Sequence, residues 1–210
     1  MRPEPLGTSF IAVEQMPDAR FGVIAEDDSD FRVARVIIHR LGGKRLTIRR
    51  RVTNGCSKLD QKLGIWQAQL VDEGCNALIV LRDLDRNVSN SLNDEGALRR
   101  KLERAEVPVG VSRLICIPIE ELEAWFWSDP KVVQTVGRGQ GKASASPHGI
   151  ARPKEELIRL SMKASGRPLH STNDNEQLAQ ILDLDICAQR CASFRNFRDF
   201  VQQRLPPARA

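Results

Sequence analysis

The sequence predicts an α/β fold: a small parallel sheet with helices on both faces, followed by a C-terminal helical extension. Two observations carry this prediction. Short apolar runs alternate with amphipathic segments through the first half of the chain. Two of these runs, FGVIA and ALIVL, are apolar at every position, which is typical of strands buried between two layers of helices. Right-handed crossovers between parallel strands then place helices on both sides of the sheet.

Hydrophobic periodicity assigns the individual elements. The predicted strands cover residues 21–26, 45–52, a segment beginning at Ala77, and 114–119. The predicted helices between them cover residues 29–41, 59–73 and 93–106. Asp28 or Ser29 is the expected N-cap of the first helix, and Gly42 with Gly43 ends it. The resulting order is βαβαβαβ.

The chain changes character after Asp129 and Pro130, where we predict a helix stop. Residues 137–149 lack periodic apolar positions and predict a mobile loop. Helices are predicted at 153–161 and 174–182, and Ser193 is the expected N-cap of a last helix. That helix carries an apolar stripe, which favours a buried face over a base-stacking platform: Phe194, Phe197, Val201 and Leu205.

These changes divide the chain into three regions. We expect an N-terminal extension over residues 1–20, an α/β core over 21–130, and a loop and helical region over 131–210 that packs on the core.

Composition excludes several classes of protein. The 210 residues are 41% apolar and 28% charged, with no long apolar run and no signal-peptide pattern at the start, so we expect a cytoplasmic protein. Five cysteines without a CxxC pair argue against a disulfide framework or a zinc knuckle and favour buried free thiols. The histidines lack metal-ligand spacing, and only His148 is a candidate general base, which we disfavour.

Acidic residues follow two of the predicted strands. Glu26 is the last residue of the first predicted strand, Asp27, Asp28 and Asp30 follow it, and Asp83 and Asp85 come after the third strand. In an open parallel sheet, ligands bind in the crevice beyond the carboxyl ends of the strands. Carboxylates gathered there repel one another unless a cation neutralises them. This pattern favours a site for a divalent metal.

Each of these acids has a structural alternative. Glu26, Asp83 and Asp85 can form salt bridges to Arg82 or Arg86 instead of binding a metal. Further along the chain, Glu120 and Glu123 are expected on one helical face, each either a ligand or a charge favoured by the helix dipole.

Basic residues give the chain a net charge of +5. The cluster containing Arg49, Arg50 and Arg51, and the cluster from Arg99 to Arg104, can hold the phosphates of a polyanion, while a solvated face is the alternative for each.

Three motifs carry a family resemblance. Glu26 with Asp30, then Asp83-x-Asp85, then Glu123 before Ala124 and Trp125 resemble the Toprim fold of topoisomerases, bacterial primases and overcoming-lysogenization-defect nucleases. The chain is most similar to an uncharacterised Toprim-related family found beside ATPases in bacterial phage-defence loci. In that family the first motif usually reads Glu-Gly-x-Thr-Glu. Here Asp27 replaces the glycine, and Asp30 replaces the second glutamate.

The resemblance implies a Toprim-like sheet and a set of metal ligands. The expected ligands of Mg²⁺ or Mn²⁺, in a site that suits two ions, are Glu26, Asp30, Asp83, Asp85 and Glu123. Glu26, Asp83 and Asp85, with Lys142 from the loop, form the expected catalytic set. Lys142, Lys154 and Lys163 are candidates for holding the scissile phosphate or the nucleic acid, with a surface position as the alternative for each.

The leading hypothesis is therefore a metal-dependent nuclease acting on DNA or RNA, and the resemblance implies a role in a defence system under the control of an ATPase partner. Three alternatives remain: a phosphoryl-receiver domain, a nucleotidyl-transfer enzyme, and a catalytically inactive module that binds nucleic acid or a partner protein. A receiver domain is disfavoured because LICIPIEELE supplies glutamates where such a domain needs Ser or Thr and then Lys.

Overall fold

A computed structural model of the protein describes residues 19–53, 55–84 and 94–205. Four strands and eight helices are formed there: β1 (Arg20–Ala25), α1 (Asp28–Gly42), β2 (Thr47–Val52), α2 (Cys56–Asp72), β3 (Ala77–Leu81), α3 (Glu95–Glu103), β4 (Ser112–Cys116), α4 (Pro130–Val136), α5 (Pro153–Leu160), α6 (Asn175–Ile181), α7 (Leu184–Arg190) and α8 (Ala192–Gln202). Short 3₁₀ helices add Leu122–Ser128, Pro147–Gly149 and Thr172–Asp174. The βαβαβαβ order predicted from the sequence is confirmed.

All strand pairs in the sheet are parallel, in the order β2-β1-β3-β4. Because side chains alternate along a strand, the two central strands contribute to both faces. Phe21 and Val23 pack on the face covered by α1 and the C-terminal helices. Ile24 and Leu78 pack on the opposite face, against α2 and α3. The protein thus has the predicted α/β architecture, a Toprim-like small parallel sheet with helices on both faces and a C-terminal helical extension.

The C-terminal helices share one hydrophobic core with the sheet. Trp125, which follows β4, is buried with its ring centroid 5.0 Å from that of Phe194 and 5.7 Å from that of Phe197, both on α8. The predicted apolar stripe of this helix is therefore a core face. The cysteines are free thiols, as expected, and all except Cys56 are buried. Among the described residues, no helix combines the length and apolar character needed to cross a membrane.

Two predicted helix caps are wrong, and one predicted helix stop is confirmed. The N-cap of α1 is Asp27, whose carboxylate accepts the N–H of Asp30 at 2.9 Å. Ser193 lies inside α8, where its hydroxyl accepts the indole N–H of Trp125 at 3.0 Å, and Cys191 occupies the N-cap position. Asp129, the predicted helix stop, ends the 3₁₀ helix Leu122–Ser128, where its N–H donates to the Phe126 carbonyl, and its carboxylate accepts the N–H of Lys131 as the N-cap of α4. Asp27, Asp28 and Ser29 are all residue types that favour the N-cap position, so capping propensity alone could not choose among them.

We expect Phe197→Ala to lower the free energy of unfolding by about 3 to 5 kcal/mol, because it removes a fully buried ring that packs on Trp125. The sheet and the C-terminal helices should still melt in one transition, monitored by far-UV circular dichroism and tryptophan fluorescence. Arg195→Ala, at an exposed position of the same helix, is the control and should change stability by less than about 0.5 kcal/mol. Two separate transitions would contradict a shared core.

Candidate functional site

Carboxylates from three strand ends converge at the carboxyl edge of the sheet. Glu26 directly follows β1, Asp30 lies in the first turn of α1, and Asp83 comes two residues after β3. Glu121 and Glu123 follow β4. Asp30 and Glu123 are only 5% and 4% exposed. We call these five residues the acidic cluster. It contains every predicted metal ligand except Asp85, which falls outside the described residues.

Three carboxylates of the acidic cluster have raised pKa values, and burial and charge repulsion from neighbouring carboxylates are among the causes. Burial, followed by repulsion from Asp27, Glu123 and Glu26, raises the pKa of Asp30 well above its ordinary value. Burial likewise raises the pKa of Asp83, and Asp30, Glu123 and Glu26 raise it further. Burial also raises the pKa of Glu123, although a hydrogen bond from Asn175 and the charge of Lys154 partly oppose this. Proximity of these carboxylates therefore costs free energy in the folded protein when they are ionised.

Glu26 is held by Arg82. One Glu26 carboxylate oxygen accepts the Arg82 Nη1–H at 2.7 Å and the backbone N–H of Asp83 at 3.1 Å. The side chains of this ion pair are 11% and 16% exposed. Arg82 also lies 3.6 Å from a carboxylate oxygen of Asp60 on α2. Arg82 donates to the backbone carbonyl of Asp83 and not to its carboxylate. The salt-bridge alternative is thus realised for Glu26, but not for Asp83 with Arg82.

Two residues from the second half of the chain complete the site. Asn175, fully buried at the start of α6, donates to a Glu123 carboxylate oxygen at 2.9 Å and to the Ser29 hydroxyl at 3.0 Å. Lys154, at the start of α5, forms an ion pair with Glu121 at 3.1 Å. Burial lowers the pKa of Lys154, but Glu123 and Glu121 outweigh this and raise it above the ordinary lysine value. Lys154 is therefore protonated at neutral pH.

Sequence reasoning missed Asn175 and Glu121. Glu121 stands inside the motif IPIEELEAW, so its position beside Glu123 was the available signal. Asn175 gave no local signal, because the contact spans 52 residues of sequence. The expectation that Glu120 and Glu123 share a helical face is wrong. Glu120 has a left-handed backbone (φ 66°) and precedes the 3₁₀ helix, so only Glu123 enters the cluster from that helix.

The other predicted site residues lie elsewhere. Lys142 and Lys163 are exposed and form no hydrogen bond or ion pair with the acidic cluster in the described parts of the chain. Arg49, Arg50 and Arg51 lie on the edge strand β2. Arg50 pairs with Asp28 at 2.7 Å and Arg51 pairs with Glu73, whereas Arg49 is exposed.

The cluster provides oxygen donors, which suit Mg²⁺ or Mn²⁺ better than softer metals. In their present positions, no three Asp, Glu, His or Cys side chains among the described residues are arranged to hold a metal ion. Glu26 is turned toward Arg82, and Glu123 toward Asn175. The donor chemistry fits a divalent metal, and ligation requires these side chains to reorient.

Residues 25–202 match a family described as "Domain of unknown function (DUF4276)". The chain belongs to this family. The DUF4276 match contains the whole acidic cluster together with Lys154 and Asn175. No curated protein and no solved structure matches the chain.

Neutralising Asp83 should leave the metal-free protein as stable as wild type or more stable by on the order of 1 kcal/mol at pH 7 to 8. The folded-state pKa of Asp83 is raised, so between its ordinary pKa of about 4 and the raised value the folded state holds more protons than the unfolded state. Stability contributed by this group therefore falls as pH rises through that window. Asp83→Asn should flatten this pH dependence in thermal melts performed in EDTA.

Glu26→Gln is the matched comparison and should have the opposite sign. It leaves Arg82 buried without its main partner, so we expect a loss of about 3 kcal/mol, near the low end for a broken buried pair because Asp60 remains close. If Asp83→Asn instead destabilises the metal-free protein as strongly as Glu26→Gln, then Asp83 balances a buried cation. The claim that Asp83 is repelled by neighbouring carboxylates would then be wrong.

Proposed function

We propose that the protein is a metal-dependent nuclease that hydrolyses phosphodiester bonds in DNA or RNA. One observation carries the proposal: Glu26, Asp30, Asp83 and Glu123 are brought together at the carboxyl edge of the sheet, where burial and mutual repulsion raise the pKa of Asp30 and Asp83. Proteins keep such repulsive groups close mainly where a function requires it.

The charge balance of the cluster favours the binding of a cation. Among the residues that the structure describes, its five carboxylates face two cationic side chains, Arg82 and Lys154. Arg82 neutralises Glu26, and Lys154 pairs with Glu121. Asp30 and Asp83 make no ion pair in the described parts of the chain, so a divalent cation would relieve the largest remaining repulsion. When bound, Mg²⁺ or Mn²⁺ supplies an activated water and stabilises charge on the leaving oxygen.

The side chains around the carboxylates have separable roles in this proposal. Arg82 and the Asp83 N–H fix the orientation of Glu26, and Asn175 fixes that of Glu123. Lys154, held in its protonated form beside Glu121, would bind a nonbridging phosphate oxygen. Lys142 and Lys163 are better assigned to the surface, since neither contacts the cluster in the described parts of the chain.

A second candidate is a binding module that does not cleave. The observation in its favour is the largely buried ion pair between Glu26 and Arg82. Because Arg82 already neutralises Glu26, this expected metal ligand has less need of a metal ion. A nucleotidyl-transfer enzyme would use the same carboxylates and would be recognised by products that form only with a nucleoside triphosphate. Control by an ATPase and a role in phage defence remain predictions of the Toprim-related resemblance.

We expect the purified protein to cleave plasmid DNA, single-stranded DNA or tRNA in Mn²⁺ or Mg²⁺ and to lose this activity in EDTA. Mn²⁺ should also raise the melting temperature of the wild-type protein, because a ligand that binds only the folded state stabilises it. Asp83→Asn should abolish cleavage and most of the Mn²⁺-induced shift. Gel assays and thermal melts provide the two readouts.

Asp28→Asn is the matched control, since Asp28 is exposed, lies outside the cluster and pairs with Arg50 at the surface. It should retain both cleavage and the Mn²⁺ response. A Mn²⁺ response in wild type without cleavage of any of the three substrates would favour the binding module. Cleavage that persists in EDTA, with no metal found by elemental analysis, would remove the metal mechanism.

Nucleic-acid binding should depend on Arg49. Of the three arginines on β2, it is the one exposed without a carboxylate partner among the described residues, so its charge is the most available to a phosphate. Arg49→Glu should weaken binding to single-stranded DNA or RNA and reduce the slope of log K against log[salt] by about 1. Fluorescence anisotropy at several salt concentrations measures both effects. Arg195→Glu, an exposed site on α8, tests for a nonspecific effect of net charge. Equal slopes for the two variants would assign Arg49 to a solvated face.

A further inference from the structure

A cavity of ≈ 250 Å³ lies along the outer side of β4, which we call the β4 cleft. Its walls include Ile115, Ile117 and Ile119 from β4 and the segment that follows it, Arg99 from α3, and Ala192 and Asn196 from α8. β4 is an edge strand of the described sheet, and no other strand in the described parts of the chain covers its outer side. No residue of the acidic cluster lines this cavity.

The cleft and the acidic cluster lie on opposite sides of the same short segment. Asp83 stands between two backbone hydrogen bonds to this segment: the Arg82 N–H donates to the Cys116 carbonyl at 3.2 Å, and the Leu84 N–H donates to the Pro118 carbonyl at 2.9 Å. The Asp83 backbone is thus about one strand spacing, ~4.8 Å, from residue 117. A nucleotide with its phosphate at the cluster is long enough to reach across this segment.

The backbone presents a hydrogen-bonding edge to the cleft. Successive peptide groups of a strand point in opposite directions, and the carbonyls of Cys116 and Pro118 are directed toward the β3 side. The N–H and C=O groups of Ile115 and Ile117 therefore point away from β3, toward the β4 cleft. The Ile115 carbonyl accepts from Arg99 at 3.0 Å. The N–H and C=O of Ile117 make no hydrogen bond to another described residue, although this residue is only 2% exposed.

One wall of the cleft carries a fixed guanidinium. Arg99 is held by Glu95 at 3.0 Å as well as by the Ile115 carbonyl. A guanidinium plane fixed in this way is a stacking surface for a flat ring. Asn196 adds an exposed amide at α8, and amide side chains pair with the donor and acceptor edges of bases.

We propose that the β4 cleft binds one nucleobase of the nucleic acid that the acidic cluster cleaves. The link to cleavage rests on the proposed function, but binding of a base does not. A planar ring matches the Arg99 surface, and its hydrogen-bonding edge matches the adjacent N–H and C=O of Ile117. An extended peptide would also pair with an edge strand, but it requires an open groove, whereas α3 and α8 wall this cavity.

The test is ligand-observed NMR with adenosine, guanosine, cytidine and uridine, using the full-length protein in EDTA, and with ribose as the control ligand. At least one nucleoside should bind, and ribose should not. Ala192→Trp should fill the cleft and weaken nucleoside binding by about tenfold or more. Ala68→Trp, an equally bulky change at an exposed position of α2, should leave binding unchanged.

Asn196→Ala is a second variant that removes an amide without filling space, and it should weaken binding several-fold while melting like wild type. Nucleosides that bind no better than ribose would overturn the proposal. So would nucleoside binding that neither Ala192→Trp nor Asn196→Ala weakens. These measurements need no metal, so the two proposals can fail separately. Nucleoside binding without metal-dependent cleavage would contradict the nuclease proposal and support base binding in the β4 cleft. Cleavage without nucleoside binding would support the nuclease proposal and contradict base binding in the cleft.

Discussion

The candidate site depends on one constraint: the fold holds several like-charged carboxylates close together at a buried edge of the sheet. Parallel strands deliver Glu26, Asp83 and the glutamates after β4 to one edge, and the first turn of α1 adds Asp30. Each ionised carboxylate raises the free energy of its neighbours. Compensation comes from the surroundings, through the guanidinium of Arg82 for Glu26 and the amide of Asn175 for Glu123. The shortfall in positive charge at Asp30 and Asp83 is what makes this edge a candidate for cation binding.

Much of the fold could be predicted from the sequence because two periodicities dominate it. Strands apolar at every position and helices with a 3.6-residue repeat fix the α/β order. The short helices α4 and α7, each of seven residues, were not predicted. Helix caps were also mispredicted, because several neighbouring polar residues, such as Asp27, Asp28 and Ser29, can each accept the same N–H groups.

The parts of the candidate site that could be predicted are the carboxylates that stand close in sequence to the ends of the strands. Glu26, Asp30, Asp83 and Glu123 come together, as the motifs indicated. Their partners are set by contacts between distant parts of the chain, so neither Asn175 nor the choice of Lys154 over Lys142 could be read from local spacing. Asp27, which stands where the resembled family usually has glycine, has a local explanation as the N-cap of α1. The same carboxylate adds to the repulsion on Asp30.

The involvement of Asn175 and Lys154 means that the α/β region does not contain a complete site. A fragment ending near residue 130 would contain the four strands and all five carboxylates of the acidic cluster, but it would lose the amide that orients Glu123 and the lysine that pairs with Glu121. It would also expose the face of Trp125 that α8 covers. Transplanting this site into another protein would therefore require both halves of the chain, and recombination between relatives at the apparent boundary would separate residues that function as one unit.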